Sequence, residues 1–160
     1  MNGGPSWLWI GGSLGVALAL DLMPLPPWLA LGNPPWSLMV LIHFALVAPE
    51  RVGVATAFAL GLLQDAAQGT LLGQHALAAT VVVYFVLKAR QLLRFSPWWQ
   101  QIPAVLGLLA GHQLLVFWLD GLTGHPPWDA WYLMPAAVGA LVWPWLSMAL
   151  KGTDSRPPLA

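Results

Sequence analysis

Asp65 and His75 are the two ionisable side chains whose types and spacing could do chemistry together. They lie ten positions apart in the stretch G-L-L-Q-D-A-A-Q-G-T-L-L-G-Q-H at 61–75, where a turn between apolar segments could bring them into contact. A His–Asp pair is one requirement of acid–base catalysis. Since neither a serine nucleophile motif nor a metal-ligand spacing accompanies the pair, we expect no catalytic residue, no metal site and no cofactor.

A structural role for Asp65 is an equally weighted alternative. A carboxylate that ends an apolar run can cap the following turn or helix by accepting hydrogen bonds from free backbone N–H groups, and it also interacts favourably with the helix dipole. His43 and His112 lie in two separate apolar segments, where facing histidines could in principle ligate a haem iron. We expect interhelical hydrogen bonds from them instead.

The composition places these residues in a membrane protein. The chain has 160 residues, enough for one domain, and 58% are hydrophobic while only 8% are charged. Soluble domains carry about 25% charged residues, so this chain lacks the polar side chains to cover a water-facing surface. Six basic and six acidic residues cancel, which excludes a basic nucleic-acid-binding face. The absence of cysteine excludes disulfides and thiolate chemistry.

Apolar segments between the charged and Pro-rich positions predict an all-α, polytopic integral membrane protein with six transmembrane helices. We expect a single six-helix domain over residues 1–150 and a short cytoplasmic tail at 151–160. The segments are 7–23, 37–48, 52–64, 70–87, 102–119 and 130–150. Two of them fall short of the roughly 17–25 residues that a spanning helix needs.

The pair at 36–65 could alternatively form a re-entrant hairpin. That arrangement would carry Glu50 and Arg51 into the bilayer, which costs about 2.5–3.5 kcal/mol per charge. We therefore favour two short spans.

The positions of Lys and Arg predict that both termini are cytoplasmic. Basic residues concentrate in cytoplasmic loops. The basic residues form three groups: Arg51, a basic loop with Lys88, Arg90 and Arg94, and the tail residues Lys151 and Arg156. Even numbers of predicted crossings separate these groups, so all three can lie on the same side. The eleven Trp residues fall near the predicted inner and outer ends, as expected for indoles at membrane interfaces.

Small residues recur at four-residue steps at Gly69 and Gly73, at Gly107 and Gly111, and at Ala57 and Gly61. Such steps let helix backbones approach closely and mark packing faces in membrane proteins. The spacing alone leaves open whether these faces pack within the chain or against a partner.

Three motifs resemble the rod shape-determining protein MreD family of Gram-negative bacteria. They read L-V-A-P-E-R-V-G at 46–53, G-L-L-Q-D-A-A-Q-G-T-L-L-G-Q-H-A-L at 61–77, and L-L-R-F-S-P-W-W-Q-Q at 92–101. The second motif is the most specific. Candidates for family-motif or partner-contact positions are Pro49, Arg51, Gly53, Gly61, Asp65, Gly69, Gly73, Gln74, His75 and Arg94. The chain departs from the family at 33–36, where it reads N-P-P-W and the family often has Arg-Pro-Asp-Trp.

The resemblance implies a non-enzymatic inner-membrane subunit of the cell-elongation complex, which supports the regulation of peptidoglycan synthesis and the maintenance of rod shape. It implies a helix arrangement similar to the S-components of vitamin transporters. The implied partners are MreC, RodA with a class B penicillin-binding protein, and indirectly MreB. Membrane lipid is a further expected partner, particularly at the basic 88–101 stretch, and nucleic acid is not.

The alternative function is a small-molecule-binding membrane protein of the S-component type. A polar cluster of Asp65, Gln68, Gln74 and His75 could line a ligand pocket beneath the loop that carries Trp28 and Trp36. Few other polar residues lie inside the spans to recognise a ligand. An intramembrane enzyme is the least favoured interpretation because the chain lacks a plausible catalytic set.

Overall fold

The computed structural model describes residues 5–124, 129 and 131–151, and every regular element in these ranges is an α-helix. The all-α class is therefore confirmed for the described residues. These ranges do not include Trp128 or the tail at 152–160, which contains Arg156. The elements are α1 (Trp7–Asp21), α2 (Pro27–Ala30), α3 (Trp36–Val47), α4 (Val54–Gln68), α5 (Gln74–Phe95), α6 (Trp98–Leu122) and α7 (Met134–Lys151).

Each of the six longer helices coincides with one of the six apolar segments, and α2 is an additional short helix in the Pro-rich break. Proline at the first turn of α2 suits a helix start because its missing N–H would be unbonded there anyway. Two helices, α5 and α6, are long and apolar enough to cross a membrane, while α1 and α3 are shorter apolar helices.

The prediction of a basic loop around Lys88, Arg90 and Arg94 is wrong. These residues lie on α5, which continues to Phe95, and only residues 96–97 separate it from α6. Hydropathy locates the end of an apolar segment, but Leu, Ala, Lys, Arg and Gln are all good helix formers and extend the helix beyond it. Basic side chains in the last turns also interact favourably with the negative end of the helix dipole.

α3 is the central helix of the fold. Its ten residues from position 37 to position 46 are all buried, and α1, α5 and α7 pack around it. With 12 residues it is about 18 Å long, well short of the roughly 30 Å of a hydrocarbon core. Because α3 contacts protein on all sides, its length does not have to match the bilayer.

α4 and α6 complete the bundle around this centre. α6 packs between α5 and α7, α4 packs mainly against α5, and α1 packs mainly against α3. α1 and α4 are therefore peripheral helices, each with one principal neighbour and a large exposed face.

Charged side chains divide between two ends of the helix bundle. The acidic end contains Asp21, Asp65 and Asp120, and the basic end contains Arg51, Lys88, Arg90, Arg94 and Lys151. Glu50 is the one carboxylate at the basic end among the described residues.

The side chains of Arg51 and Arg90 hold the basic end together. The Arg51 guanidinium donates to the Pro5 carbonyl oxygen and lies 5.8 Å from the centre of the Trp7 ring. Nε of Arg90 donates to the carbonyl oxygen of Leu46 at 2.9 Å. The turn between α3 and α4 therefore lies level with the start of α1 and with the last turns of α5.

Candidate functional site

The Asp65 carboxylate is fully buried and accepts hydrogen bonds from the start of the next helix. Oδ1 accepts from the Thr70 hydroxyl at 2.9 Å and from the backbone N–H of His75 at 3.0 Å. Oδ2 accepts from the backbone N–H groups of Gly73 at 2.9 Å and Ala76 at 3.3 Å. One side chain therefore satisfies three N–H groups that have no partner within α5.

The His75 ring completes this arrangement. Its Nδ1 lies 2.8 Å from Oδ1 of Asp65, which confirms the contact that the sequence predicts between the two residues. If Nδ1 carries the proton, Nε2 is left as an acceptor. The His75 ring lies 5.9 Å from the ring of His112 on α6.

Two glycines shape the turn that brings Asp65 to α5. Gly69, at the end of α4, has φ +68°, and Gly73, at the start of α5, has φ +100°. Both values lie in the left-handed region, where a side chain with a β-carbon is disfavoured. The four-residue step from Gly69 to Gly73 is therefore a requirement of the turn and not a helix-packing face.

Gly61 lets α4 and α5 approach closely below the turn. A β-carbon at position 61 would come within 2.8 Å of the His75 carbonyl carbon and closer still to the backbone of Ala76. The small-residue step at Ala57 and Gly61 thus packs within the chain, since both residues are buried against α5. Gly107 and Gly111 differ, because no atom lies within 4 Å of a β-carbon built at either position.

Gln74 links the same turn to α6. Its Nε2 donates to Oδ1 of Asp120 at 2.6 Å and lies 3.3 Å from the Val116 carbonyl oxygen. Gln74 is buried, so this amide uses its donors inside the protein. The turn at 65–76 therefore fixes α4, α5 and α6 relative to one another.

The arrangement around Asp65 holds backbone and does not activate a nucleophile. The neighbouring hydroxyl, that of Thr70, donates to Asp65 and not to His75. Nor do three His, Asp or Glu side chains converge as a metal ion requires anywhere in the part of the chain that the structure describes. The capping interpretation of Asp65 accounts for the three backbone N–H bonds that its carboxylate accepts.

The other candidate residues lie elsewhere. Pro49, Arg51 and Gly53 belong to the turn at the opposite end of α4, about 22 Å away along a helix of 15 residues. Arg94 is exposed in the last turn of α5 and makes no hydrogen bond or ion pair with a described residue. The motif residues therefore form two groups at opposite ends of the bundle and not one site.

The Asp21 carboxylate caps the start of α3 as the Asp65 carboxylate caps the start of α5, and this role was not predicted from the sequence. The Asp21 carboxylate accepts from the backbone N–H groups of Trp36 at 2.7 Å and Ser37 at 3.0 Å, and from the Ser37 hydroxyl. The signal was present, because Asp21 also ends an apolar run. A Pro-rich break of 14 residues hid the connection.

A cavity of about 440 Å³ opens beside His75 at the acidic end. Of the four polar residues expected in a pocket, Gln68 and His75 line this acidic-end cavity, whereas Asp65 and Gln74 do not, and neither does Trp28 or Trp36. The polar lining residues are Asp21, Asn33, Gln64, Gln68, His75, His112, Gln113, Asp129 and Tyr132.

Tyr132, in the turn before α7, closes one side of this cavity. Its hydroxyl donates to the Gln113 carbonyl oxygen at 3.1 Å. Burial and the nearby negative charge of Asp120 raise the pKa of the Tyr132 phenol. The hydroxyl therefore keeps its proton at neutral pH and keeps the hydrogen bond that ties the turn to α6.

Comparison with known proteins gives one consistent result. The model of the family described as rod shape-determining protein MreD matches residues 6–152. A rod shape-determining protein MreD of Haemophilus influenzae is 30% identical to this chain over 147 residues, which cover 91% of this chain and 90% of the relative. No solved structure matches the chain significantly.

Asp65→Asn tests the cap. The amide loses the negative charge and presents an N–H₂ group to donors, so we expect a loss of about 2–4 kcal/mol in the free energy of unfolding. Thermal unfolding of the purified protein in detergent, followed by tryptophan fluorescence, measures it. Asp129→Asn, at an exposed carboxylate, is the matched control and should unfold like the unchanged protein. Equal stability of the two variants would contradict the cap.

Gly61→Ala and Gly111→Ala should change stability in opposite directions. Alanine at 61 overpacks the contact with Ala76 and should destabilise by about 1–3 kcal/mol. Alanine at 111 meets no neighbour and gains up to about 1 kcal/mol of helix propensity. The same unfolding assay applies, and a stabilising Gly61→Ala would show that α4 and α5 are farther apart.

Proposed function

This chain belongs to the rod shape-determining protein MreD family, and from that premise we propose that it is a non-enzymatic inner-membrane subunit of the cell-elongation complex. Membership implies a role in rod shape determination in a membrane protein. In this role the chain supports the regulation of peptidoglycan synthesis. Its partners are MreC, RodA with a class B penicillin-binding protein, and indirectly MreB, and it contacts membrane lipid.

The exposed apolar helix faces are the observation that carries the scaffold proposal. Large hydrophobic side chains point outward from every described helix but the enclosed α3, and extensive exposed apolar surface marks contact with lipid or with partner proteins. Examples are Val16, Phe58, Leu63, Phe85, Leu114 and Leu141, each between 46% and 64% exposed.

Several acidic and amide side chains, by contrast, are directed into the chain. Asp21, Asp65 and Gln74 use their hydrogen-bonding atoms to join its own helices. A protein with this distribution presents mainly apolar helix surface to its surroundings. Contacts with other membrane helices are the interactions that such a surface supports.

The proposal includes an orientation with both termini in the cytoplasm. Basic residues favour the cytoplasmic side of a membrane, and all the described Lys and Arg residues lie at the basic end. Pro5, the first described residue, and the α7 residue Lys151 lie at this end too. The contact of Arg51 with Pro5 supports two short spans for α3 and α4, because it keeps the turn between them level with the start of α1 instead of at mid-membrane.

Single cysteine substitutions test the orientation without background, since the chain has no cysteine. Leu72→Cys lies at the acidic end and Gln100→Cys at the basic end, and both positions are exposed. In intact spheroplasts a membrane-impermeant maleimide should label only Leu72→Cys, and in inverted vesicles only Gln100→Cys.

Glu50→Cys distinguishes two short spans from a re-entrant hairpin by the same labelling assay. Two spans predict labelling of Glu50→Cys only in inverted vesicles. Protection of this position in both preparations would contradict two spans, and labelling of Gln100→Cys in spheroplasts would reverse the orientation.

The α6 face around Gly107 and Gly111 is the proposed partner contact. Of the three small-residue steps considered above, this is the one that lies within a helix and has no described atom within 4 Å of a β-carbon at either position. Small residues of this kind allow a second helix to approach closely. The other two steps are used within the turn at 65–76 and in the contact between α4 and α5.

Gly107→Leu should therefore reduce recovery of MreC and of the RodA–transpeptidase pair in a mild-detergent pull-down from native membranes. We expect a loss of at least about fivefold, because a leucine side chain prevents close helix approach. Gly15→Leu is the matched control: it makes the same change on the exposed face of α1, with no neighbour within 4 Å. Normal recovery with Gly107→Leu, or equal losses in both variants, would refute this contact face.

The alternative, a small-molecule-binding protein of the S-component type, is favoured by one observation, the acidic-end cavity. Its volume of about 440 Å³ lies within the range of about 300–1,000 Å³ typical of small-molecule sites. Identification of small molecules in the same pull-down separates the two functions. A stoichiometric metabolite in the absence of the elongation proteins would favour the alternative.

A further inference from the structure

We propose that the acidic-end cavity binds a protonated amine through His112, Gln64 and Gln68. The inference goes beyond the scaffold role and rests only on the cavity that supports the small-molecule alternative. Failure of the proposed partner contacts of α6 would therefore not affect this inference, and its own failure would not affect those contacts.

The charge around the cavity selects a cation. Asp21 and Asp129 contribute carboxylates to its described lining, and no described lining residue is a Lys or Arg. Asp65 lies directly behind His75. Because the described basic side chains are all at the opposite end of the bundle, the field in the cavity attracts a cation and repels an anion.

His112 is a buried polar side chain at the wall of the cavity, where its ring lies 5.9 Å from that of His75. Its side chain is only 6% exposed, it lines the cavity, and it makes no hydrogen bond with a described residue. A neutral imidazole offers one acceptor nitrogen and one donor. A buried polar group that lacks a partner is unfavourable, and a ligand N–H group would supply the missing one.

Gln64 and Gln68 add two acceptors. They lie one turn apart on α4, both line the cavity, and neither side-chain amide bonds to a described residue. Their amide oxygens and the acceptor nitrogen of His112 match an ammonium group, which has three donors and no acceptor. Free primary amines and the ethanolamine headgroup of a phospholipid share this chemistry.

Isothermal titration calorimetry of the full-length protein in maltoside detergent tests the inference with benzylamine, which is protonated at neutral pH. Benzyl alcohol and benzoate are neutral and anionic probes of similar size. Benzylamine should bind at least about tenfold more tightly than either, because only the ammonium makes charge-assisted hydrogen bonds. Equal or tighter binding of benzyl alcohol or benzoate would overturn the proposal.

Variants locate the site. His112→Leu should weaken benzylamine binding at least about tenfold, and Gln68→Ala about fivefold. Gln68 is exposed, so its variant remains informative if His112→Leu fails to fold. Gln91→Ala removes an exposed glutamine near the basic end of α5 and should leave the affinity unchanged. An equal loss with Gln91→Ala, or unchanged binding by Gln68→Ala, would overturn the assignment.

The source of the amine is decided in lipid nanodiscs. Benzylamine is titrated into protein in phosphatidylglycerol mixed with phosphatidylcholine and in phosphatidylglycerol mixed with phosphatidylethanolamine, at the same phosphatidylglycerol fraction so that the surface charge is equal. A weaker apparent affinity in the phosphatidylethanolamine mixture identifies the lipid headgroup as the occupant, and an unchanged affinity identifies a free amine. Both results support an amine site, whereas no benzylamine binding in either lipid or in detergent would refute it.

Discussion

The buried carboxylate of Asp65 is the constraint on which the acidic end of the structure depends. It can be buried only because it accepts hydrogen bonds from three backbone N–H groups at the start of α5, the Thr70 hydroxyl and the His75 ring. Those bonds require the chain to reverse within a few residues, which in turn requires glycine at 69 and 73. The close approach at Gly61 and the bond from Gln74 to Asp120 then carry the geometry into α6. The motif at 61–77, the most specific of the three family motifs, thus serves first of all to hold three helices together.

The fold class, the places of the six longer helices and the Asp65–His75 contact could be predicted from the sequence, because apolar runs and capping residues are local signals. The extension of α5 to Phe95 could not be predicted in this way. Hydropathy marks only the apolar, lipid-contacting part of a helix, whereas the helix itself continues as long as its residues have a high helix propensity. The cap of Asp21 on α3 was missed for a different reason. Its partners lie beyond a Pro-rich break that carries no sign of where the chain returns. The cavity depends on side chains from four separate segments, and no sequence spacing records their convergence.

The proposed scaffold role and the enclosed α3 helix are consistent with each other. A helix that is buried along ten consecutive residues gives the bundle a fixed centre, while the peripheral helices α1 and α4 leave broad apolar faces toward the surroundings. Such a protein can offer several intramembrane contact surfaces without large loops. Neither Gly107 nor Gly111 lines the acidic-end cavity, so an occupant there would not compete directly for the α6 surface around Gly107.

The caps formed by Asp21 and Asp65 also bear on how the chain is assembled during synthesis. Each carboxylate sits at the end of one helix, while all of its backbone donors belong to the following long helix. When α1 alone has left the ribosome, the Asp21 carboxylate lacks every one of these partners, and it gains them only when residues 36 and 37 arrive. Likewise, once α4 has been synthesised, the Asp65 carboxylate lacks its backbone donors until residues 73–76 follow. The smallest units in which these charges are satisfied are therefore helix pairs, α1 with α3 and α4 with α5, and in each pair the second helix is the one that makes burial of the first helix's end favourable.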